Sequence, residues 1–162
     1  MPAMHTTAYN IRRALESNAP ALTAIAFNSK RLWGYADAQM ETWRADLRID
    51  AAMIAEHTAY LLEHEGVIAG FYLLVRSDAC WSLDHLWVLP EMGRRGYGSA
   101  LLAHASATAR DAGASAIHID ADPNAEAFYL HCGAQRVGVV AAPITGDPGR
   151  MRLQLILPLP AA

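Results

Sequence analysis

A run of glycines stands where a strand must become a helix. The segment from Leu83 to Leu89 is apolar apart from Asp84 and His85 and ends at Pro90. Gly93, Gly96 and Gly98 follow, and the alanine-rich stretch from Ser99 to Ala112 comes next. Glycine admits backbone conformations and close approaches that other residues resist, and successive N–H groups in such a turn converge on an anion. A helix start adds unpaired N–H groups and partial positive charge. Arg94 and Arg95 add full charges. Gly93, Arg94, Arg95, Gly96, Tyr97, Gly98 and Ser99 therefore read as a cradle for phosphate or pyrophosphate. Taken alone, the turn also fits a tight strand-to-helix connection with two solvated arginines. It is not a P-loop, because the Gly-Lys-Ser/Thr ending is missing. A dinucleotide fingerprint fits poorly: the glycine spacing differs and two hairpin-like strands precede the turn. Asp120 and Asp122 only come near the place of the expected acidic residue.

The elements around the turn follow from period and punctuation. Thr7 to Leu15 alternates loosely and reads as a first strand. Pro20 opens a helix through Leu22, Ile25 and Phe27 that Gly34 ends, and Asp37 is expected to cap a second helix through Gln39, Met40 and Trp43. From Thr58 the period becomes two. Ala59–Glu63 and Val67–Val75 read as strands joined by a short hairpin link at residues 64–66, and Trp81–Leu89 as a third. Ser99–Ala112 is a helix with Gly113 just past its end. Ile117–Asp120 is a strand, Ala125–Cys132 a short helix stopped at Gly133, and Val137–Val140 and Arg152–Leu157 are closing strands. Residues 143–149 form an exposed connection. The order predicts an α/β fold: a mixed, mostly antiparallel sheet of about six to seven strands flanked by about four helices, in one domain over 1–162.

Two motifs then carry a resemblance. Val88-x-Pro90 followed by Gly93-Arg-Arg-Gly-Tyr-Gly-Ser99 and Leu101-Leu102 resembles the acetyl-CoA-binding motif of the GNAT superfamily of N-acetyltransferases, Gln/Arg-x-x-Gly-x-Gly/Ala after a Val-x-Pro strand end. Asp122-Pro-Asn-Ala-Glu-Ala-Phe-Tyr-Leu-His-Cys-Gly-Ala134 resembles the second signature of that family, with Asn124, Ala127, Tyr129 and Gly133 at slightly compressed spacing. The resemblance is firm over 83–138 and weaker over 56–82, so the motif-bearing core is about 56–140. Two positions depart from the pattern. Gly93 stands where Gln or Arg is usual, with Arg94 or Arg95 to compensate, and Ala134 stands where Phe is usual.

The resemblance implies a GNAT-like single domain that uses acetyl-CoA as co-substrate and acetylates a primary amine of a small molecule or peptide by direct attack. The amine must lose a proton, the thioester oxygen must be stabilised as it gains charge, and the leaving thiolate must be protonated. In the family, backbone groups of Leu86, Trp87 and Val88 pair with the pantetheine arm, and a backbone N–H, that of Val88, meets the thioester oxygen. Strand alternation puts Ser82, Asp84, Leu86 and Val88 on one face. Asp84 is then the candidate base, acting directly or through water; an ion-paired strand carboxylate is the alternative. His85 has the opposite parity and reads as a packed residue beside Trp87. Tyr129 matches the general-acid position of the family. Phe128 either flanks the pantetheine or fills the core. Asn124 is expected to cap its helix and to touch the pantetheine. Trp33, Tyr35 and Asp37, with Glu41 and Trp43, are expected to form an aromatic, anionic pocket for an amine or polyamine; plain helix packing is the alternative.

Composition narrows the classes. A net charge of −3 argues against a general nucleic-acid binder. No apolar run approaches the roughly 18 residues of a membrane span, and residues 1–10 do not read as a signal peptide. Two cysteines, Cys80 and Cys132, are too few for a disulfide framework, and the seven histidines lack metal-ligand spacing, so no metal is expected. A cytoplasmic enzyme fits these features, with a homodimer left open. The competing class is a non-catalytic acyl-CoA-binding regulatory module, which would need the glycine turn and Asn124 but neither Tyr129 nor Asp84.

Overall fold

Residues 8–78 and 80–161 are described by a computed structural model. Strand β1 (Asn10–Arg13) is followed by helices α1 (Ala19–Arg31), α2 (Asp37–Trp43) and α3 (Ala51–Glu56), then by strands β2 (Thr58–His64), β3 (Val67–Ser77) and β4 (Cys80–Val88). Helix α4 (Tyr97–Asp111), β5 (Ala116–Ala121), α5 (Glu126–His131), β6 (Gln135–Ala141) and β7 (Met151–Pro158) complete the chain. The expected α/β class holds, with a seven-stranded sheet in the order β1-β2-β3-β4-β5-β7-β6. All neighbours are antiparallel except β4 and β5.

Local chemistry accounts for most boundaries. The β2–β3 link is a two-residue turn with φ of +50° at Glu65 and +76° at Gly66, the handedness that suits the twist of a hairpin. Asp37 is not the cap of α2; it is the first helical residue, and extended Ala36 precedes it. Helix α3 was not expected. Its six residues are too few to show a period, yet the Asp50 side chain accepts the backbone N–H of Met53 and fixes its start. The first strand is shorter than expected, and the expected start at Thr7 lies outside the described residues.

Helices α4 and α5 cover one face of the sheet, where Leu101, Leu102 and Tyr129 meet Tyr72, Leu83, Ile117 and Leu155. The other face is covered over β2 and β3, where Leu22, Ile25 and Met40 meet Leu61, Phe71 and Leu73. At Gly70, opposite Val88, an added Cβ would lie 2.6 Å from the Trp87 carbonyl oxygen. Only glycine lets β3, the end of β4 and α4 approach so closely.

Strand β4 carries the irregularity that shapes the site. Leu73 pairs with His85 but Leu74 pairs with Leu83, so Asp84 is an extra, unpaired residue. Such a bulge breaks the alternation. Leu83, Leu86 and Val88 pack toward α4, while Trp87 and Leu89 pack toward α1. The expectation that Asp84 shares a face with Leu86 and Val88 is therefore corrected. Asp84 instead lines an open cavity with Ser82, His118 and Asp120. Beyond the bulge β4 and β5 separate: their parallel pairing comprises only Ser82–His118 and Leu83–Ile119.

Candidate active site

The gap between β4 and β5 opens into a cleft of about 630 Å³ beneath the start of α4. Leu86, Trp87, Val88, Gly93, Arg94, Gly98, Asn124, Phe128 and Tyr129 all line it. Gly96 starts α4 with φ of +78°, and Arg94 also has positive φ, at +62°. A Cβ at Gly98 would sit 3.4 Å from the Phe128 ring, so glycine keeps that wall open. The Leu89 N–H donates to the Ala69 carbonyl on the β3 side. By strand alternation the Val88 N–H points the other way, into the gap that β5 has left. Ser29 of α1 donates its hydroxyl to the Val88 carbonyl at 2.7 Å and so fixes this peptide from the other side.

Three of the expected cradle side chains do not face this cleft. Tyr97 is buried in the core, its ring 5.7 Å from Tyr9. Ser99 lines a separate groove beside Cys132, and Arg95 is exposed to solvent. Tyr97 and Ser99 are placed to contribute through their backbone groups. A strand-like pattern of side chains cannot be assumed at a helix start, where successive residues point about 100° apart.

Tyr129 lies on α5 with 7% of its surface exposed. Its hydroxyl makes no hydrogen bond among the described residues, and it lines both the cleft and a smaller cavity of about 180 Å³ shared with Lys30, Asp84 and Leu86. Burial raises its pKa, so the phenol holds its proton at neutral pH. Burial also raises the pKa of Asp84, against the opposing pull of His57. His85 is lowered to about 4 by burial and by the charge of Lys30. Its Nδ1 accepts the Trp87 indole N–H at 3.1 Å, so the ring is neutral with its proton on Nε2.

The expected acceptor pocket of Trp33, Tyr35 and Asp37 does not form. Trp33 leans on Trp87 with ring centroids 5.6 Å apart, at the edge of the cleft. Asp37 points to solvent and faces Arg31 at 3.8 Å. The Tyr35 hydroxyl donates to Asp122 Oδ2 at 2.8 Å, and its ring meets Trp43. The aromatic faces are already occupied by cations of the protein itself: Lys30 Nζ lies 4.0 Å from the Trp43 ring centroid, and the Arg150 guanidinium lies 5.0 Å from it.

Asp122, which the sequence reading did not select, organises this region. Its Oδ2 lies 2.9 Å from Arg150 Nη2 and 3.6 Å from Lys30 Nζ. Its Oδ1 accepts the backbone N–H of Asn124 at 2.8 Å and the Asn124 side-chain amide at 2.9 Å. Asn124 therefore does not cap α5, whose first residue follows Ala125 without a side-chain cap. Burial pushes the Asp122 pKa up, but Asn124, the Tyr35 hydroxyl and Lys30 together hold it below its ordinary value. No local pattern marks these partners: Lys30, Asp122 and Arg150 come from α1, the end of β5 and the loop before β7. The one available signal was that Lys30 is the only lysine in the chain.

The model of the acetyltransferase (GNAT) family matches residues 12–134. No match is found among curated proteins. Among solved structures, the PaiA N-acetyltransferase of Thermoplasma acidophilum in complex with coenzyme A superposes with a TM-score of 0.77 at 16% identity, over 93% of this chain and 99% of that one. The ribosomal-protein-S18-alanine N-acetyltransferase of Escherichia coli gives 0.73 at 18% identity, over 96% of each chain. YncA of Salmonella typhimurium, solved with its cofactor acetyl-CoA, gives 0.70 at 18% identity, over 96% of each chain. At these identities the likeness is one of fold. Among the described residues no helix is long and apolar enough to cross a membrane.

Replacing Asp122 by Ala leaves Lys30 and Arg150 as buried cations without their shared anion. Stability should fall by about 3–5 kcal/mol, the usual cost of breaking a buried pair from one side, as read by urea unfolding at neutral pH. The sign of the acid dependence follows from the depressed pKa. Between the folded and unfolded values only the unfolded chain binds the proton, so the Asp122 contribution is full above 3.8 and is lost as pH falls through the lower folded value. Asp122→Asn should remove that part of the acid transition.

Proposed function

The chain belongs to the acetyltransferase (GNAT) family, and from that premise we propose that it moves the acetyl group of acetyl-CoA onto a primary amine of a small molecule or peptide by direct attack. The observation that carries this reading is the Tyr129 hydroxyl, protonated and without a hydrogen bond among the described residues, which opens at the wall shared by the cleft and the smaller cavity.

Acetyl-CoA supplies an activated acyl group, and the residues of this chain do the rest. The Gly93–Gly98 backbone, the α4 N-terminus and Arg94 hold the pyrophosphate. The side-chain amide of Asn124 is turned toward Asp122 and Tyr35, which leaves its carbonyl oxygen for the pantetheine arm, and Phe128 flanks that arm. The Val88 N–H stabilises the thioester oxygen as it gains charge. Asp84 takes the proton of the incoming ammonium, directly or through a water, and Tyr129 donates to the departing sulfur. The resemblance of the two motifs and the shared cavity that Asp84, Leu86 and Tyr129 line support this assignment of roles.

Incubation with acetyl-CoA and a panel of amines, with detection of released thiol, tests the reading. A non-catalytic binding module would be stabilised by acetyl-CoA and release none. Acetyl-CoA at millimolar concentration should raise the melting temperature of the wild type by mass action, and Gly98→Glu should abolish that rise by placing a side chain and a negative charge in the cradle.

Asp84→Asn should lower turnover about 10²-fold, with acetyl-CoA protection retained. Asp84 works ionised and its pKa is raised, so wild-type kcat/KM should fall as pH drops through a value above 3.8. That acid limb should change shape in the Asn variant. Full activity with an unchanged profile would remove Asp84 from the mechanism.

Tyr129→Phe keeps the ring and removes only the donor. Turnover should drop by about 10- to 10²-fold while melting temperature and acetyl-CoA affinity stay close to wild type. Steady-state kinetics and thermal unfolding on one preparation decide this. Preserved turnover would return Tyr129 to the core.

A further inference from the structure

Lys30 is a mostly buried ammonium most of whose donors are unspent. Its side chain is 14% exposed, and its nearest carboxylate oxygen, on Asp122, stands at 3.6 Å, a long ion pair that engages at most one of its three N–H groups. The Trp43 face satisfies charge but accepts no ordinary N–H bond. Arg150 beside it is different: it donates to Tyr35, Ala142 and Asp122. Lys30 lines both the small cavity that holds Asp84 and Tyr129 and a larger one of about 770 Å³ between α2 and the segment before β7. It therefore stands at the passage between them, together with Asp46 and Arg150. Arg152 lines the same two cavities, with its Nε 3.3 Å from Asp120. Two carboxylates on these walls, Asp46 and Asp84, have neither a hydrogen bond nor an ion pair among the described residues.

We propose that the acceptor is a small amine that carries a carboxylate, with the amine on the Asp84 side and the carboxylate on Lys30 at the passage. A carboxylate there gains charge-assisted hydrogen bonds from N–H groups that otherwise stay unbonded in a largely dry site. The free carboxylate Asp84 meets the ammonium end. A polyamine would leave those N–H groups unbonded and bring a second cation against Lys30. Burial first, and then the charge of Arg150, lower the pKa of Lys30 against the opposing pull of Asp122 and Asp46. The proposal rests on the acetyl-transfer reading, which identifies the Asp84 end as the reacting end.

The test compares amino carboxylic acids with the same skeletons as primary carboxamides, in wild type, Lys30→Gln and Lys30→Arg. In the wild type, kcat/KM for the acids should exceed that for the amides by about tenfold or more, the worth of one charge-assisted hydrogen bond. Lys30→Gln should erase the preference through KM, and Lys30→Arg should restore part of it. A parallel arm measures protection from thermal unfolding by N-acetylated amino acids and by their N-acetylated amides, with CoA present. Equal treatment of acid and amide by the wild type in both arms, or a preference that survives in Lys30→Gln, overturns the proposal. Protection by acetyl-CoA alone separates the two failures: if it persists, only the acceptor inference falls; if it is absent from the wild type, the acetyl-transfer reading falls as well.

Discussion

Two parallel strands that pair at only two positions set the terms for the rest of this molecule. Ser82–His118 and Leu83–Ile119 hold β4 to β5, and the bulge at Asp84 turns β4 away immediately afterwards. A sheet with a wedge in it exposes backbone donors that would normally be paired, and unpaired donors are costly unless something meets them. The wedge is tolerable because its walls are braced elsewhere. Gly70 lets β3 approach the end of β4, Ser29 holds the Val88 carbonyl, and α4 bridges the two halves through Leu101 and Leu102. The same bulge that opens the wedge re-aims Asp84 toward it, a common use of an extra residue next to a site.

On the acceptor side the stability problem is one of charge. A single carboxylate, Asp122, stands between two cations and also accepts two hydrogen bonds from Asn124 and one from Tyr35. Its several partners come from α1, the loop before α2, the start of α5 and the segment before β7. Burial of such a group is favourable only when most of its lone pairs are used. Arg150 is used up in this arrangement, whereas Lys30 has one long ion pair and N–H groups to spare. An aromatic cluster that looks, residue by residue, like a cage for a foreign cation is thereby a cage for the protein's own.

Local backbone chemistry was legible in the sequence. The Val88-x-Pro90 end, the glycines at 93, 96 and 98, and the Asn124–Gly133 pattern each lie within a dozen residues, and their physical meaning does not depend on distant partners. The hairpin at Glu65–Gly66 and most strand positions were readable for the same reason. Alternation along β4 was not, because the extra residue at Asp84 is decided by how β3 pairs with it. Asn124 fits the pattern of a helix cap but is claimed by Asp122 two residues earlier. The Lys30–Asp122–Arg150 group spans most of the chain, and no periodicity links its members. Trp33, Tyr35 and Asp37 were grouped by nearness in sequence, yet the turn between α1 and α2 sends them in three directions.

The scarcity of lysine gives the passage a second property. Lys30 is the only side-chain primary amine in the protein, so an acylating or reductively alkylating reagent that modifies a side-chain amine reports on one position alone. That position sits where the cleft and the outer cavity meet. Chemical labelling, which in most proteins averages over many surface sites, here becomes a gauge of how crowded or how empty this single junction is.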